Sequence, residues 1–208
     1  NLNQRYILKN NTRQNLYFLK EEYAEGKGVY ISPEREKYVG KWKKGKRNGK
    51  GVITNPDGLR LEGTFVNDEL EGKAICTWPD GDRYVGEFKN GEKHGQGIYI
   101  FSDGTEYDGA WQDGSKNGHG IFIFNNGETY EGIFRNELPN GYGVYTDPGG
   151  GMYKGEWKEG LKHGRGTYTF PDGAMDVGEF RKDKPWNVTG FDNSGNISVK
   201  WVKGRKQK

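Results

Sequence analysis

The chain of 208 residues carries 32 Lys and Arg against 29 Asp and Glu, a formal net charge of +3, and 35 glycines. Near-balanced charge with 14% aromatic residues excludes a disordered polyelectrolyte, while a mean hydropathy of −1.03 leaves little aliphatic side chain for a thick globular core. No apolar run exceeds four residues (Ile98 to Phe101, Ile121 to Phe124), and the single Cys76 excludes both an intramolecular disulfide framework and a cysteine-based zinc site.

Residues 1–14 show no period and stay unassigned. Residues 15–37 read as a degenerate capping repeat, because Gly26 and Gly28 lie 23 residues before Gly49 and Gly51. Six gapless 23-residue repeats then fill 38–175. Tyr38, Leu61, Tyr84, Tyr107, Tyr130 and Tyr153 recur at that interval. Glycine follows two residues on (Gly40, Gly63, Gly86, Gly109, Gly132, Gly155), and an aromatic two further (Trp42, Phe65, Phe88, Trp111, Phe134, Trp157). A Gly-x-Gly comes later in each period, as in Gly95/Gly97 and Gly164/Gly166, with Gly72/Ala74 the one lapse. Residues 176–204 read as a divergent C-terminal repeat and cap, in which Trp201 to Gly204 echo Trp42 to Gly45, and 205–208 as a basic tail.

Each repeat reads as a β-hairpin. Tyr84 to Lys89 and Gly95 to Phe101 alternate with period two, and no amphipathic helix is apparent. Asp-Gly and Asn-Gly pairs such as Asp80-Gly81 and Asn126-Gly127 join successive repeats, and are expected to supply the positive-φ turns that match strand twist. The expected fold is all-β: an elongated, single-layer, twisted antiparallel sheet of consecutive β-hairpins. One face collects Tyr84, Gly86, Phe88, Gly95, Gly97 and Tyr99, with glycines opposite rings so that rings cover the backbone. The other face, with Val85, Glu87 and Lys89, is expected to be largely charged.

The pattern Tyr-x-Gly-x-Trp/Phe-x-x-Gly followed by His/Asn-Gly-x-Gly, clearest over Tyr153 to Gly166, resembles the MORN-repeat family. The resemblance implies an elongated single-layer β structure used for assembly. Such repeats occur in junctophilins at membrane contact sites, beside the catalytic domain of plant phosphatidylinositol phosphate kinases, in protist cytoskeletal scaffolds and ahead of a lysine methyltransferase domain. This chain departs from the pattern at Leu61 and Asp176 (first tyrosine), at Asp68, Glu137 and Asp183 (turn glycine), and at Glu71.

A repeat strings like residues into rows rather than gathering unlike ones at a point. His94 and His163 occupy one repeat position three repeats apart, roughly 29 Å at two strands per repeat, and cannot share a metal. The glutamates Glu87, Glu156 and Glu179 read as a solvated ladder, and no helix follows any Gly-x-Gly as a phosphate loop requires. No catalytic residue, metal or cofactor is expected.

The leading functional expectation is a non-enzymatic scaffold that binds a protein partner, or a second copy of itself, along the aromatic-glycine face. The candidate groove residues are Tyr84, Phe88, Tyr107, Trp111, Tyr130, Phe134, Tyr153 and Trp157. The rival is an anionic phospholipid (phosphoinositide) adaptor using Lys43, Lys89, Arg135, Lys158 and Arg181. A regulatory module of a larger enzyme is the third reading. Nucleic acid is disfavoured by 29 acidic residues dispersed through the same repeats. The expected location is cytoplasmic, at the periphery of a membrane or the cytoskeleton, with secretion left open.

Overall fold

The computed structural model describes the backbone of residues 6–11 and 15–20 and residues 25–207 in full. Among the described residues there are nineteen strands and no helix, in two compact units. The first runs to Ser102 and includes Gln112–Gly114; the second comprises Asp103–Trp111 and the chain from Ser115 on.

The first unit holds β1 (Tyr6–Asn11), β2 (Asn15–Lys20), β3 (Gly26–Ile31), β4 (Lys37–Lys43), β5 (Lys46–Thr54), β6 (Arg60–Val66), β7 (Glu69–Thr77), β8 (Arg83–Lys89) and β9 (Glu92–Ile100). They form an antiparallel sheet ordered β2-β1-β3 and then consecutively to β9. β3 keeps the register of the repeats, with Gly28 opposite Gly40, but its outer neighbour is β1, a strand outside the 23-residue period.

The second unit holds β10 (Glu106–Gln112, all but its last residue), β11 (Ser115–Ile123), β12 (Thr129–Arg135), β13 (Leu138–Thr146), β14 (Met152–Lys158), β15 (Leu161–Thr169), β16 (Met175–Arg181), β17 (Lys184–Phe191), β18 (Ile197–Val202) and β19 (Arg205–Lys206). From β11 to β19 each strand pairs antiparallel with the next. Arg205 and Lys206 of the basic tail thus extend the sheet, against Val202 and Trp201.

The period follows from element lengths. A seven-residue strand such as β14, a two-residue turn, a nine-residue strand such as β15 and a five-residue loop make 23. The turns differ from the expectation. Both residues of the short turn take positive φ (Glu159 52°, Gly160 80°), the geometry that follows strand twist. In the five-residue loop only the glycine does, as at Gly173 (88°), while the aspartate before it accepts a hydrogen bond from the backbone two residues on, as Asp172 does from Ala174 N–H. The longer loop needs just one left-handed residue, so its Asp-Gly pairs serve as Asx turns.

The two glycines of Gly-x-Gly do different work. Gly155 pairs with Gly166 and Trp157 with Lys162, so residues 163–165 bulge opposite Glu156 alone, and Gly164 turns the bulge at φ 72°. The second glycine leaves room for a ring. A Cβ added to Gly120 would meet Tyr107 Cε2 and Oη, each at 2.6 Å. The tyrosine hydroxyl then donates to the carbonyl three residues on, Tyr107 to Ala110 at 2.9 Å and Tyr130 to Ile133 at 3.2 Å.

In the second unit these tyrosines and the following aromatics form a continuous zigzag of edge-to-face contacts, Trp111–Tyr107–Phe134–Tyr130–Trp157–Tyr153–Phe180, with centroids 5.0 to 5.3 Å apart. Each such pair contributes about 0.5–1.5 kcal/mol beyond its burial. That is how a single layer buries Tyr107 and Tyr153 completely. Tyr38 is enclosed likewise in the first unit, between Trp42 and Phe65.

The worn repeats obey the same rule in reverse. Where Leu61 replaces the tyrosine no ring needs the facing glycine, and Ala74 and Leu70 pack against Gly63 instead. Where Asp176 replaces it, Val188 takes the glycine position opposite Gly178 and is buried. Burial raises the Asp176 carboxyl above the usual carboxylate range.

Candidate functional site

The eight residues expected to line a groove share the aromatic-glycine face, Tyr84 and Phe88 in the first unit and the other six in the second. All are buried, none more than 8% exposed. They form the floor of the face. The ring surface that meets solvent belongs to the next row, one strand over.

In the second unit that row is Phe122, Tyr145 and Tyr168, each half-buried. The register fixes their spacing: Phe122 pairs with Tyr130, Tyr130 with Tyr145, Tyr145 with Tyr153 and Tyr153 with Tyr168. Successive half-buried rings therefore stand two strands apart, with a buried tyrosine between. Phe124 and Phe170 extend the outer two, at 4.6 Å from Phe122 and 4.8 Å from Tyr168. Tyr168 Oη donates to Asp147 Oδ2 at 3.1 Å, which fixes the ring. Backbone N–H groups of Gly149 and Gly151 also reach Asp147, and with Tyr168 they hold its carboxyl below the usual range.

Lysines lie over these rings, a feature the sequence reading missed. Lys162 Nζ sits 4.9 Å from the Tyr168 centroid, 5.2 Å from Tyr153 and 5.6 Å from Tyr145. Burial holds its ammonium below the usual lysine value, Asp183 and Asp147 acting against that shift. Lys116 Nζ lies 4.9 Å from Phe122 and 5.6 Å from Tyr107, and pairs with Glu137 at 3.0 Å. In the first unit Arg47 fills the same slot over Tyr38 and Phe65, and Lys93 over Tyr99, Tyr84 and Trp78. Tyr99 is tied to Asp82 there. The signal was present: Arg47, Lys93, Lys116 and Lys162 share one repeat position, and alternation back from Gly95 puts Lys93 on the aromatic face.

The five basic residues of the lipid reading, Lys43, Lys89, Arg135, Lys158 and Arg181, are all exposed. Arg181 is bound to Glu179 at 2.7 Å and stacks on Trp186 at 4.3 Å. Their face is less uniformly charged than expected, since Ile121, Ile133, Tyr142, Met152 and Val177 are exposed among the charges. His94 and His119 each stand 3.8 Å from a carboxylate, Asp113 and Glu131 respectively. Among the described residues no group of three or more His, Cys, Asp or Glu side chains is placed to hold a metal. Cys76 is buried without a disulfide, and burial pushes its thiol up to about 11.

Fold and site together define a β-hairpin repeat protein with a cation-capped aromatic face. The MORN repeat model matches residues 38–60, 62–83, 84–106, 107–129, 130–152 and 153–175, and the chain belongs to the MORN-repeat family, a non-enzymatic repeat module. No curated protein matches it. Among solved structures it is similar to the TCP domain of Drosophila melanogaster SAS-4 (dCPAP) in complex with a proline-rich motif of Ana2 (dSTIL). The identity is 12%, covering 84% of this chain and 89% of that one, with a TM-score of 0.48. It is also similar to the TCP10 domain of Danio rerio CPAP in complex with a STIL peptide. There the identity is 15%, covering 91% of this chain and 84% of that one, with a TM-score of 0.32.

Proposed function

We propose that this protein is an interaction module that holds an extended segment of a protein partner against the aromatic face of its second unit. The observation that carries the reading is the row Phe122, Tyr145 and Tyr168: large rings left half-buried at regular intervals over a fully packed floor. Rigid rings present apolar area with little side-chain entropy to lose, the economy used by binding surfaces rich in tyrosine. The opposite face offers scattered apolar residues among charges, which is ordinary surface.

The test is selection of a displayed random-peptide library on the full chain, with affinities of the selected peptides then measured on variants. Tyr145→Ala and Tyr168→Ala are expected to weaken binding at least tenfold, and Arg135→Glu and Lys158→Glu on the opposite face to leave it within twofold. Peptides indifferent to the ring substitutions would sink the reading. Flotation with phosphatidylserine vesicles, lost in Arg135→Glu and Lys158→Glu, would put the anionic-lipid adaptor in its place. Self-association lost with the ring variants would make the partner a second copy.

A further inference from the structure

The spacing of the rings constrains what kind of segment can lie on them. Resting on the interaction reading above, we infer that the ligand is a neutral, proline-rich stretch in the polyproline II conformation, crossing the strands with one turn per repeat.

Strands about 4.8 Å apart place rings that alternate across the sheet at intervals of about 9.6 Å. A polyproline II helix repeats every three residues at about 3.1 Å each, so equivalent side chains recur every ~9.3 Å. Other conformations miss this interval. A β-strand presents same-side residues about 6.6 Å apart, and an α-helix turns every 5.4 Å or so. Across Phe122, Tyr145 and Tyr168 the polyproline mismatch accumulates to only about 0.6 Å over two intervals. Adjacent strands rotate by roughly 20–25°, so a straight rod can follow the rings for two or three repeats and no further. The matching ligand is therefore six to nine residues long, on the order of two to three turns.

Charge and hydrogen bonding agree. Asp147 and Asp183 act on Lys162 and Glu137 pairs with Lys116, so acids already stand beside both lysines, which disfavours an acidic or phosphorylated ligand. Among the described residues the Lys162 ammonium has no hydrogen-bonded or ion-paired partner, and three rings hold it in place. A polyproline II backbone makes no internal hydrogen bonds, so its carbonyls are free to accept from that ammonium. Proline rings laid on the exposed ring surfaces have almost no side-chain entropy to lose.

The experiment is titration of the 15N-labelled full chain with a blocked nonaproline peptide, with a nine-residue Gly-Ser peptide as control. Saturable shifts confined to residues around Lys116, Tyr145 and Lys162 are expected with nonaproline, and none with Gly-Ser. Lys162→Met and Tyr168→Ala should each weaken the affinity at least fivefold, and Lys158→Glu less than twofold. Should Tyr168→Ala lose spectral dispersion, Lys162→Met decides alone. If nonaproline leaves the spectrum unchanged while library-selected peptides without proline still bind the rings, the polyproline inference fails and the interaction reading stands. If neither binds, both fail.

Discussion

Tyr153 lies across Gly166, and its hydroxyl donates to the Glu156 carbonyl 3.1 Å away. Tyrosine and glycine thus specify each other. The ring needs a facing residue without a Cβ, and the carbonyl at the bulge needs the hydroxyl. Gly166→Ala would drive a methyl into ring atoms as near as 2.5 Å and is expected to cost about 3 kcal/mol or more. Tyr153→Phe keeps the ring but orphans the carbonyl, at about 1–3 kcal/mol. The double variant Tyr153→Leu with Gly166→Ala copies the Leu61/Ala74 arrangement. Its cost should fall short of the sum of Tyr153→Leu and Gly166→Ala made singly by about 1–3 kcal/mol, read by urea denaturation. Additive costs would show that ring and glycine are independent.

This coupling also marks what the sequence could disclose. The 23-residue period disclosed the hairpins and the aromatic-glycine face, because rings and glycines recur at fixed spacing; the strand register and the full burial of the eight rings came from the structure. Leu61, Ala74 and Asp176 were visible only as lapses, since nothing in a single chain says that one substitution licenses another. The site was less legible. Alternation puts Tyr153 and Tyr168 on the same face alike, and whether a ring is floor or surface depends on the neighbouring hairpin that covers it. Lys162 was hidden by its type: a lysine reads as solvated until the bulge at Gly164 sets it opposite Trp157.

The turn acids are compensated departures. Asp183 holds φ 67° where other repeats have glycine, and its Oδ1 accepts the Lys162 N–H at 2.8 Å while its own N–H donates to the Lys162 carbonyl at 3.1 Å. Glu137 with Lys116 and Asp68 with Arg47 repeat the arrangement. Asp183→Gly relieves the backbone and loses one hydrogen bond, so its melting temperature should stay within about 2 °C of the parent. Asp183→Ala keeps the strain and loses the bond. It is expected to cost about 1–2 kcal/mol in thermal denaturation.

Alkaline pH should unfold the protein. Burial pushes the Tyr38 hydroxyl up to about 12 from 10.0, and those of Tyr84, Tyr130 and Tyr153 higher still. A group whose folded pKa is raised gives stability that is complete below its unfolded value and lost as pH rises through the folded one. Stability should therefore fall from about pH 10 upward, as tyrosines ionise in the unfolded chain first. Asp82 and Asp147 work in the opposite direction, their lowered pKa values giving stability above 3.8 that is lost on acidification. Asp176, with its raised carboxyl, gives stability that is lost as pH rises above 3.8. Melting temperature followed by circular dichroism should therefore be flat only from neutral pH to about pH 10, with a shallower alkaline slope in Tyr153→Phe. A flat profile through pH 12 would contradict burial of these hydroxyls.

Stability and recognition separate at Lys162. Replacing it with methionine removes the cation–π attraction to Tyr145, Tyr153 and Tyr168, about 0.5–2 kcal/mol in all. The change also relieves the desolvation that holds the ammonium below its usual pKa, and the unbranched side chain keeps the packing. Leu70 occupies the same slot in the second repeat and is buried there, so the fold accepts an apolar residue at this position. Lys162→Met is accordingly expected to melt within about 3 °C of the parent, a net change of about 1 kcal/mol or less. Its affinity for nonaproline should nonetheless fall at least fivefold. A variant that lost stability and binding together would mean the lysine serves the sheet rather than the ligand.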